Sequence, residues 1–104
     1  MPVPEEILIK SSSDPTVEID TAAGAAYVRF KRSTRVARTV HLPRHDAIVT
    51  IDYDRGGDVI GLELLGVKEF SIRKLLKIAD ARTPNTDLSR TRYVGAGREL
   101  AAAG

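Results

Sequence analysis

The sequence predicts an α+β fold, an antiparallel β-meander of about five strands with one C-terminal helix packed on the sheet. Three observations lead to this class. Short segments alternate apolar and polar residues, as half-buried strands do. Turn residues separate these segments at hairpin spacing, which favours antiparallel neighbours. After Gly66 the apolar residues recur with the period of a helix instead.

Each predicted strand is a short run in which apolar residues fall on one face. The first two strands flank a turn at residues 20–24, and a polar connection at residues 31–35 leads to the third. A turn at residues 43–46 precedes the fourth strand, and the adjacent Gly56 and Gly57 mark the hairpin before the fifth. In chain order, the apolar positions of the strands are Val17 and Ile19; Ala26, Val28 and Phe30; Val36, Val40 and Leu42; Val49, Ile51 and Tyr53; and Ile60, Leu62 and Leu64.

The helix is predicted from an apolar stripe opposed by charged residues. Ser71, or a residue just before it, is expected to cap the start, and Pro84 discourages continuation. Because an uncovered sheet of this size would leave apolar residues exposed to solvent, we expect the helix to pack on one face of the sheet. The stripe comprises Phe70, Ile72, Leu75, Leu76 and Ala79.

The 104 residues suit one domain with a segment on either side. Residues 1–15 are interpreted as an N-terminal extension, in which Ile7–Ile9 can add an edge strand. Residues 16–82 form the predicted single β-rich domain with its C-terminal helix. Residues 83–104 show little periodicity, which predicts a flexible tail that gains order on binding.

Composition narrows the functional classes. The chain has no cysteine, which excludes disulfides, thiolate metal sites and cysteine nucleophiles. Its start lacks the pattern of a secretory signal, and no apolar run reaches the roughly 18 residues of a membrane span. We therefore expect a cytoplasmic protein that does not associate with membranes.

Two segments have a characteristic spacing of turn and strand residues. Residues 19–28 read Ile-Asp-Thr-Ala-Ala-Gly-Ala-Ala-Tyr-Val, and residues 52–65 read Asp-Tyr-Asp-Arg-Gly-Gly-Asp-Val-Ile-Gly-Leu-Glu-Leu-Leu. Together they resemble the bacterial domain-of-unknown-function family numbered 2283, whose members usually carry an aspartate where this chain has Gly24. The residues that carry the resemblance are Asp20, Tyr27, Asp52, Tyr53, Asp54, Gly57, Gly61 and Glu63.

The resemblance implies a small domain built from two hairpins, in a family with no established activity. Members of that family resemble antitoxin-like small proteins. The resemblance therefore implies a compact, toxin-like protein as the partner of this chain.

The acidic segment from residue 52 to residue 63 matches most of a calcium loop of the EF-hand type. Gly56, at the fifth position of such a loop, supplies no side-chain oxygen, and both flanks alternate like strands. We favour a Gly-Gly hairpin with solvated acids, and expect no catalysis by these acids because a flat sheet offers no cleft. The first, third, sixth, seventh and twelfth loop positions are Asp52, Asp54, Gly57, Asp58 and Glu63.

Histidines and catalytic motifs give no further site. His41 and His45 are too few to complete a zinc site without cysteine, and we interpret both as surface residues. The chain has neither a nucleophile elbow nor a phosphate-binding glycine loop. We therefore predict no catalytic residue, metal or cofactor.

Residues 29–45 are basic with no acid between Arg29 and Arg44. A ribbon of cations can neutralise phosphates without reading bases. Tyr27 and Phe30 are the only nearby aromatic side chains for stacking bases, and the alternative is a solvated face that keeps the sheet soluble. The candidate nucleic-acid-binding residues are Arg29, Lys31, Arg32, Arg35, Arg38 and Arg44.

The favoured function is a non-catalytic, antitoxin-like protein-interaction module. It would bind a small partner protein through a sheet edge or the C-terminal segment. Nucleic-acid binding by the basic segment is the alternative. The apolar helix stripe is interpreted as core, with a dimer seam as its alternative, and a homo-oligomer is expected.

Overall fold

The structure, a computed structural model, describes residues 7–32, 34–44 and 47–95. These ranges contain short and long strands, one α-helix and one 3₁₀-helix. In chain order the elements are β1 (Ile7–Leu8), β2 (Thr16–Asp20), β3 (Ala25–Arg29), β4 (Arg38–Arg44), β5 (Ala47–Tyr53), β6 (Val59–Leu65), α1 (Ile72–Ala79), β7 (Ala81–Arg82), the 3₁₀-helix (Leu88–Arg90) and β8 (Arg92–Gly95).

Six of the strands form one mixed sheet in the order β4-β5-β6-β3-β2-β8. Neighbours in this sheet are antiparallel except β2 and β8, which run parallel. β1 and β7 form a separate parallel pair. The five predicted strands correspond to β2 through β6, and the α+β class with one helix is confirmed.

Glycines with positive φ close both predicted hairpins. Gly24 has φ 63° between β2 and β3, and Gly57 has φ 90° between β5 and β6. The second turn is closed by the Asp54 amide, which donates to the Asp58 carbonyl at 2.9 Å. Glycine adopts such φ values without steric cost, so the turn residues fix where each strand ends.

The core lies between one face of the large sheet and the helix. Ser71 caps α1 by accepting from the Lys74 amide, and Asp80, with φ 56°, ends the helix in the left-handed region. Ile9 after β1 is fully buried in the same core. The residues of the core include Val17, Val28, Phe30, Val49, Ile51, Leu62, Leu64, Ile72, Leu75, Leu76 and Ala79.

The prediction of a purely antiparallel meander is wrong. β3 pairs with β6, and β4 lies at the far edge of the sheet beside β5. β8 then adds a parallel strand at the opposite edge. Strand neighbours are chosen by matching faces and registers between distant segments, and local alternation does not encode that choice.

Parts of the predicted extension and tail belong to the folded unit. The Ile7 amide donates to the Asp80 carbonyl at 2.9 Å, and the Ile9 amide donates to the Arg82 carbonyl at 2.9 Å. Residues 92–95, within the expected tail, form β8 beside β2. Residues 1–6 and 96–104 lie outside the described ranges.

Within the described ranges, no helix combines the length and the apolar character that a membrane crossing requires.

Candidate protein-interaction surface

The face of the large sheet opposite the core, called here the outer face, carries two rows of mostly polar residues. Strand register aligns each row across β4, β5, β6, β3 and β2. The first row contains His41, Thr50, Glu63, Tyr27 and Glu18. The second contains Thr39, Asp52, Gly61, Arg29 and Thr16.

Residues that carry the family resemblance meet in the middle of the outer face. The Tyr27 hydroxyl donates to Asp52 Oδ2 at 2.8 Å, and the Thr39 hydroxyl donates to Asp52 Oδ1 at 2.8 Å. The Tyr27 ring lies over Gly61, where a Cβ atom would sit 2.5 Å from Tyr27 Cε1. Gly61 is therefore the residue that lets the tyrosine cross β6 to reach Asp52. Tyr27, Thr39, Asp52 and Gly61 are called here the motif cluster.

The surroundings of Tyr27 in the motif cluster keep its phenol protonated. Burial raises the pKa of the Tyr27 phenol well above its ordinary value, and the hydrogen bond to Asp52 raises that pKa further. The Arg29 guanidinium, 4.9 Å from the centre of the Tyr27 ring, acts in the opposite direction. The phenol thus remains a donor at neutral pH, with Asp52 as its acceptor.

A second group of acids lies at the β5–β6 turn. Lys31 Nζ is 2.5 Å from Asp54 Oδ2 and 3.8 Å from Asp58 Oδ2. The Asp58 amide also donates to Asp54 Oδ1 at 2.9 Å. The hydrogen bond from Lys31 lowers the pKa of Asp54 below its ordinary value and raises the pKa of Lys31. These acids therefore pin the hairpin to the segment after β3.

The hairpin does not arrange its acids as an EF-hand loop does. Asp52 faces Gly61 across the strands, and Glu63 faces Thr50. Asp54 is engaged by Lys31 instead of sharing a centre with Asp52. Among the residues that the structure describes, no three histidine or acidic residues come together as a metal site would require.

The remaining residues of the resemblance have local contacts. Asp20 accepts from the Ala23 amide at 3.1 Å in the first turn. The Tyr53 ring lies under the Arg38 guanidinium, with 4.6 Å between the guanidinium carbon and the ring centre. Gly24 has φ 63°, a region that aspartate enters more readily than most residues, so glycine here preserves the turn.

An exposed apolar row runs beside the polar rows of the outer face. Ile48 and Leu65 face each other across β5 and β6, and their side chains are 51% and 38% exposed. Pro43 on β4 and Ala25 on β3 extend the row in both directions. These four residues are called here the apolar row. Neighbouring apolar side chains left in water are typical of a surface that binds a protein.

The basic segment does not form one continuous ribbon. Arg29 on β3 is 3.4 Å from Glu18, and Arg44, the last residue of β4, is 3.5 Å from Asp80. Lys31 is ion-paired with Asp54. Arg38 and Arg44 bound β4 and stand roughly 20 Å apart, given the rise of a strand. The other two cations are Arg32, which donates to Thr16 Oγ1 at 3.2 Å, and the exposed Arg35.

The described histidine and the cleft beside the helix lie apart from the motif cluster. His41 Nδ1 is 3.0 Å from Thr50 Oγ1 on the outer face, and His45 lies outside the described residues. A cleft of about 490 Å³ lies between α1 and the chain after β6. Its lining includes Lys68, Lys74 and Lys77, and it is separate from the motif cluster.

The part of the chain that forms the two hairpins matches a known protein family. Residues 16–68 match the family described as "Protein of unknown function (DUF2283)". The chain belongs to this family. The DUF2283 match spans β2 through β6, and so includes the whole motif cluster and the apolar row. No curated protein and no solved structure matches the chain.

Several residues of this DUF2283 surface were not singled out from the sequence. Thr39 and Thr50 lie on the outer face, but threonine is common in any strand. Ile48 and Leu65 are apolar residues at strand positions where the alternation predicts polar ones. That departure from the pattern is the feature of the sequence that could have identified them. Arg92 falls in the predicted tail, where its charge can add to the basic segment, and the register between β2 and β8 brings it to the sheet.

Proposed function

We propose that this DUF2283 protein is a non-catalytic protein-interaction module that binds a small partner protein on the outer face of its sheet. The observation that carries the proposal is the apolar row beside the motif cluster, on a face that α1 and β1 leave uncovered. Ile48, 51% exposed, is the centre of this surface.

The apolar row supplies the part of the surface that gains most from burial. Ile48 and Leu65 are adjacent across two strands, so one partner side chain can cover both. Removing apolar area from water contributes about 25 cal/mol per Å². A partner residue with an aromatic or aliphatic side chain would add affinity by covering this row. Hydrogen bonds with the neighbouring polar rows would add specificity.

The motif cluster supports the proposal because it holds the neighbouring polar groups in a fixed arrangement. Asp52 accepts two hydrogen bonds from different strands, and Tyr27 is held over Gly61. Fixed side chains lose little entropy when a partner docks. The surface is therefore organised before binding.

The non-catalytic part of the proposal follows from how the acids are engaged. Asp52, Asp54 and Glu18 each contact a donor on a neighbouring strand or connection. A general base needs a carboxylate directed toward a substrate in a concave site. These carboxylates are instead directed along the sheet and its turn.

An antitoxin-like role in the cytoplasm is the form of this proposal that the family resemblance suggests. The partner would then be a compact toxin-like protein. A second copy of the chain can compete for the same surface, and a homodimer that buries the apolar row is thus an outcome to be distinguished experimentally.

The proposal is tested by recovering the tagged protein from the lysate of its own host, with and without nuclease. Wild type is compared with Ile48→Lys and with Leu8→Lys, a matched control because Leu8 is 49% exposed away from the outer face. We expect a small protein at near-equal stoichiometry, insensitive to nuclease, retained by Leu8→Lys and lost with Ile48→Lys. Recovery of nuclease-sensitive nucleic acid, or equal recovery by both variants, contradicts the proposal.

A further inference from the structure

Three arginines from distant parts of the chain surround Thr16 at the β2–β8 edge of the sheet. Thr16 pairs with Arg29 on β3 and with Arg92 on β8. Arg32, just after β3, donates from Nη2 to Thr16 Oγ1 at 3.2 Å. Arg29, Arg32 and Arg92 are called here the arginine cluster.

The arginine cluster lines a surface depression of about 310 Å³. Its lining consists of the three arginines, Thr16 and Glu18. Glu18 is the one acid in that lining and is 3.4 Å from Arg29. Three cations against one carboxylate leave a net charge of about +2 around the depression.

Neighbouring groups hold the guanidinium groups of Arg29 and Arg32 and the backbone of Arg92. Arg29 lies over the Tyr27 ring and contacts Glu18. Arg32 is held by the Thr16 hydroxyl, and the backbone of Arg92 is fixed because its amide donates to the Pro15 carbonyl at 2.9 Å. The Arg92 side chain has no ion pair with a described residue. Among the described residues, no carboxylate therefore neutralises its charge.

We propose that the arginine cluster is a binding site for a single phosphate group. A phosphate dianion matches the net charge of the depression and presents three oxygens to planar guanidinium donors. The Thr16 hydroxyl, which accepts from Arg32, is placed to donate its own hydrogen to a phosphate oxygen.

The local geometry favours one phosphate over the backbone of a nucleic acid. Lys31, the next cation of the basic segment after Arg29, is ion-paired with Asp54, and Arg44 lies on β4 at the opposite edge of the sheet. A polyphosphate chain needs cations repeated along its length. The arginine cluster instead concentrates its charge around one residue, Thr16. This site is independent of the apolar row and does not require the proposed protein partner.

The site is tested by titrating the protein with inorganic phosphate while recording amide chemical shifts. We expect saturable shifts centred on Thr16 and Arg92. Arg92→Gln should weaken phosphate binding about tenfold or more, as expected for the loss of a charge-assisted hydrogen bond. Arg55→Gln is the matched control, because Arg55 is an exposed arginine in the β5–β6 turn. A wild-type response without saturation, or equal weakening by both variants, overturns the proposal.

Two further ligands distinguish the source of the phosphate. A phosphoserine peptide and an oligonucleotide without terminal phosphates are titrated at two salt concentrations. Saturable binding of inorganic phosphate or of the phosphoserine peptide, weakened by Arg92→Gln, supports a single-phosphate site. Binding of the oligonucleotide alone, with steep salt dependence, overturns it in favour of a nucleic-acid backbone. Thermal unfolding of each variant confirms that its fold is retained.

Discussion

At the scale of single residues, the contact between Tyr27 and Gly61 explains why the two segments of the family resemblance occur together. The tyrosine on β3 crosses the glycine on β6 and reaches Asp52 on β5. Each residue is ordinary in its own strand, and their relationship exists only in the folded register. The resemblance therefore marks a three-strand contact on the outer face.

Substitution of Gly61 tests that contact. Gly61→Ala places a Cβ atom within 2.6 Å of the Tyr27 ring, and we expect a loss of about 1–3 kcal/mol in the free energy of unfolding, as in other overpacked sites. In a Tyr27→Ala background the same substitution should be close to neutral, because the ring is gone. The measurement is a double-mutant cycle by chemical denaturation.

Gly56→Ala is the matched control for this cycle. A Cβ atom at Gly56 would lie 3.5 Å from Asp54 Oδ1, an ordinary contact distance, and would lie far from Tyr27. We expect little change in the free energy of unfolding from this substitution. Equal costs of Gly61→Ala in the two backgrounds would show that the tyrosine and the glycine are not coupled.

The Tyr27 phenol should ionise at a higher pH than an exposed tyrosine. Its pKa is raised above the ordinary value of about 10 by burial and by Asp52. Because the folded-state pKa is the higher one, this contribution to stability is present below about pH 10 and is lost as the pH rises further. A difference titration between wild type and Tyr27→Phe by ultraviolet absorbance should place this ionisation well above pH 10. A difference transition at pH 10 in the folded protein would contradict the hydrogen bond.

At the scale of elements, the turns and hairpins are joined by contacts that alternation alone does not show. The β5–β6 turn is held to the chain after β3 by Lys31, which contacts Asp54 and Asp58. The β2–β3 turn is held to the chain after β6 because the Gly66 and Val67 amides donate to the Gly24 carbonyl at 2.8 and 3.0 Å. The two hairpins are thereby fixed to each other at opposite ends.

Because of the Lys31–Asp54 contact, the stability of the fold should depend on pH in the acidic range. The pKa of Asp54 is lowered in the folded state, so its contribution to stability is present above the unfolded pKa of about 4 and is lost as the pH falls through the lower folded value. Asp54→Asn should reduce the unfolding temperature at pH 7, and its difference from wild type should shrink below pH 4. Glu69→Gln serves as the control, because Glu69 is exposed and contacts Lys74 only at 3.9 Å. A difference that is unchanged between pH 7 and pH 2 would show that the pair does not stabilise the fold.

The strand β8 should be protected in the isolated protein. It pairs with β2, and the Tyr93 hydroxyl accepts from the Ile72 amide at 3.0 Å at the start of α1. We expect hydrogen exchange of amides in residues 92–95 to be slower than in an unstructured peptide. Tyr93→Phe, which removes the acceptor for Ile72, should speed exchange at that amide. Unprotected exchange throughout residues 92–95 would support the flexible tail predicted from the sequence.

At the scale of the whole molecule, sequence periodicity predicts the elements better than their arrangement. Alternation identifies β2 to β6, and the apolar stripe with Ser71 identifies α1 and its cap. β8 is missed because its side chains are mostly exposed and its partner β2 lies far away in the chain. The order of β3 and β6 is missed because it depends on long-range register.

The residues of the candidate surface, like the order of the strands, are only partly predictable from the sequence. The family resemblance selects Tyr27, Asp52 and Gly61, but only the fold brings them together. The apolar residues Ile48 and Leu65 become notable once the core face is known, because they point the other way. The arginine cluster joins residues more than 60 positions apart and requires β8 to be placed beside β2.

The most direct test of the account is site-specific photo-crosslinking in the living host. A photoreactive phenylalanine analogue replaces Ile48 on the outer face, or Leu8 away from it as the control. We expect a crosslink from position 48 to a second, small protein and none from position 8. A crosslink from position 48 to another copy of the chain, or a crosslink to the small protein from position 8 alone, would contradict recognition of a partner by the outer face.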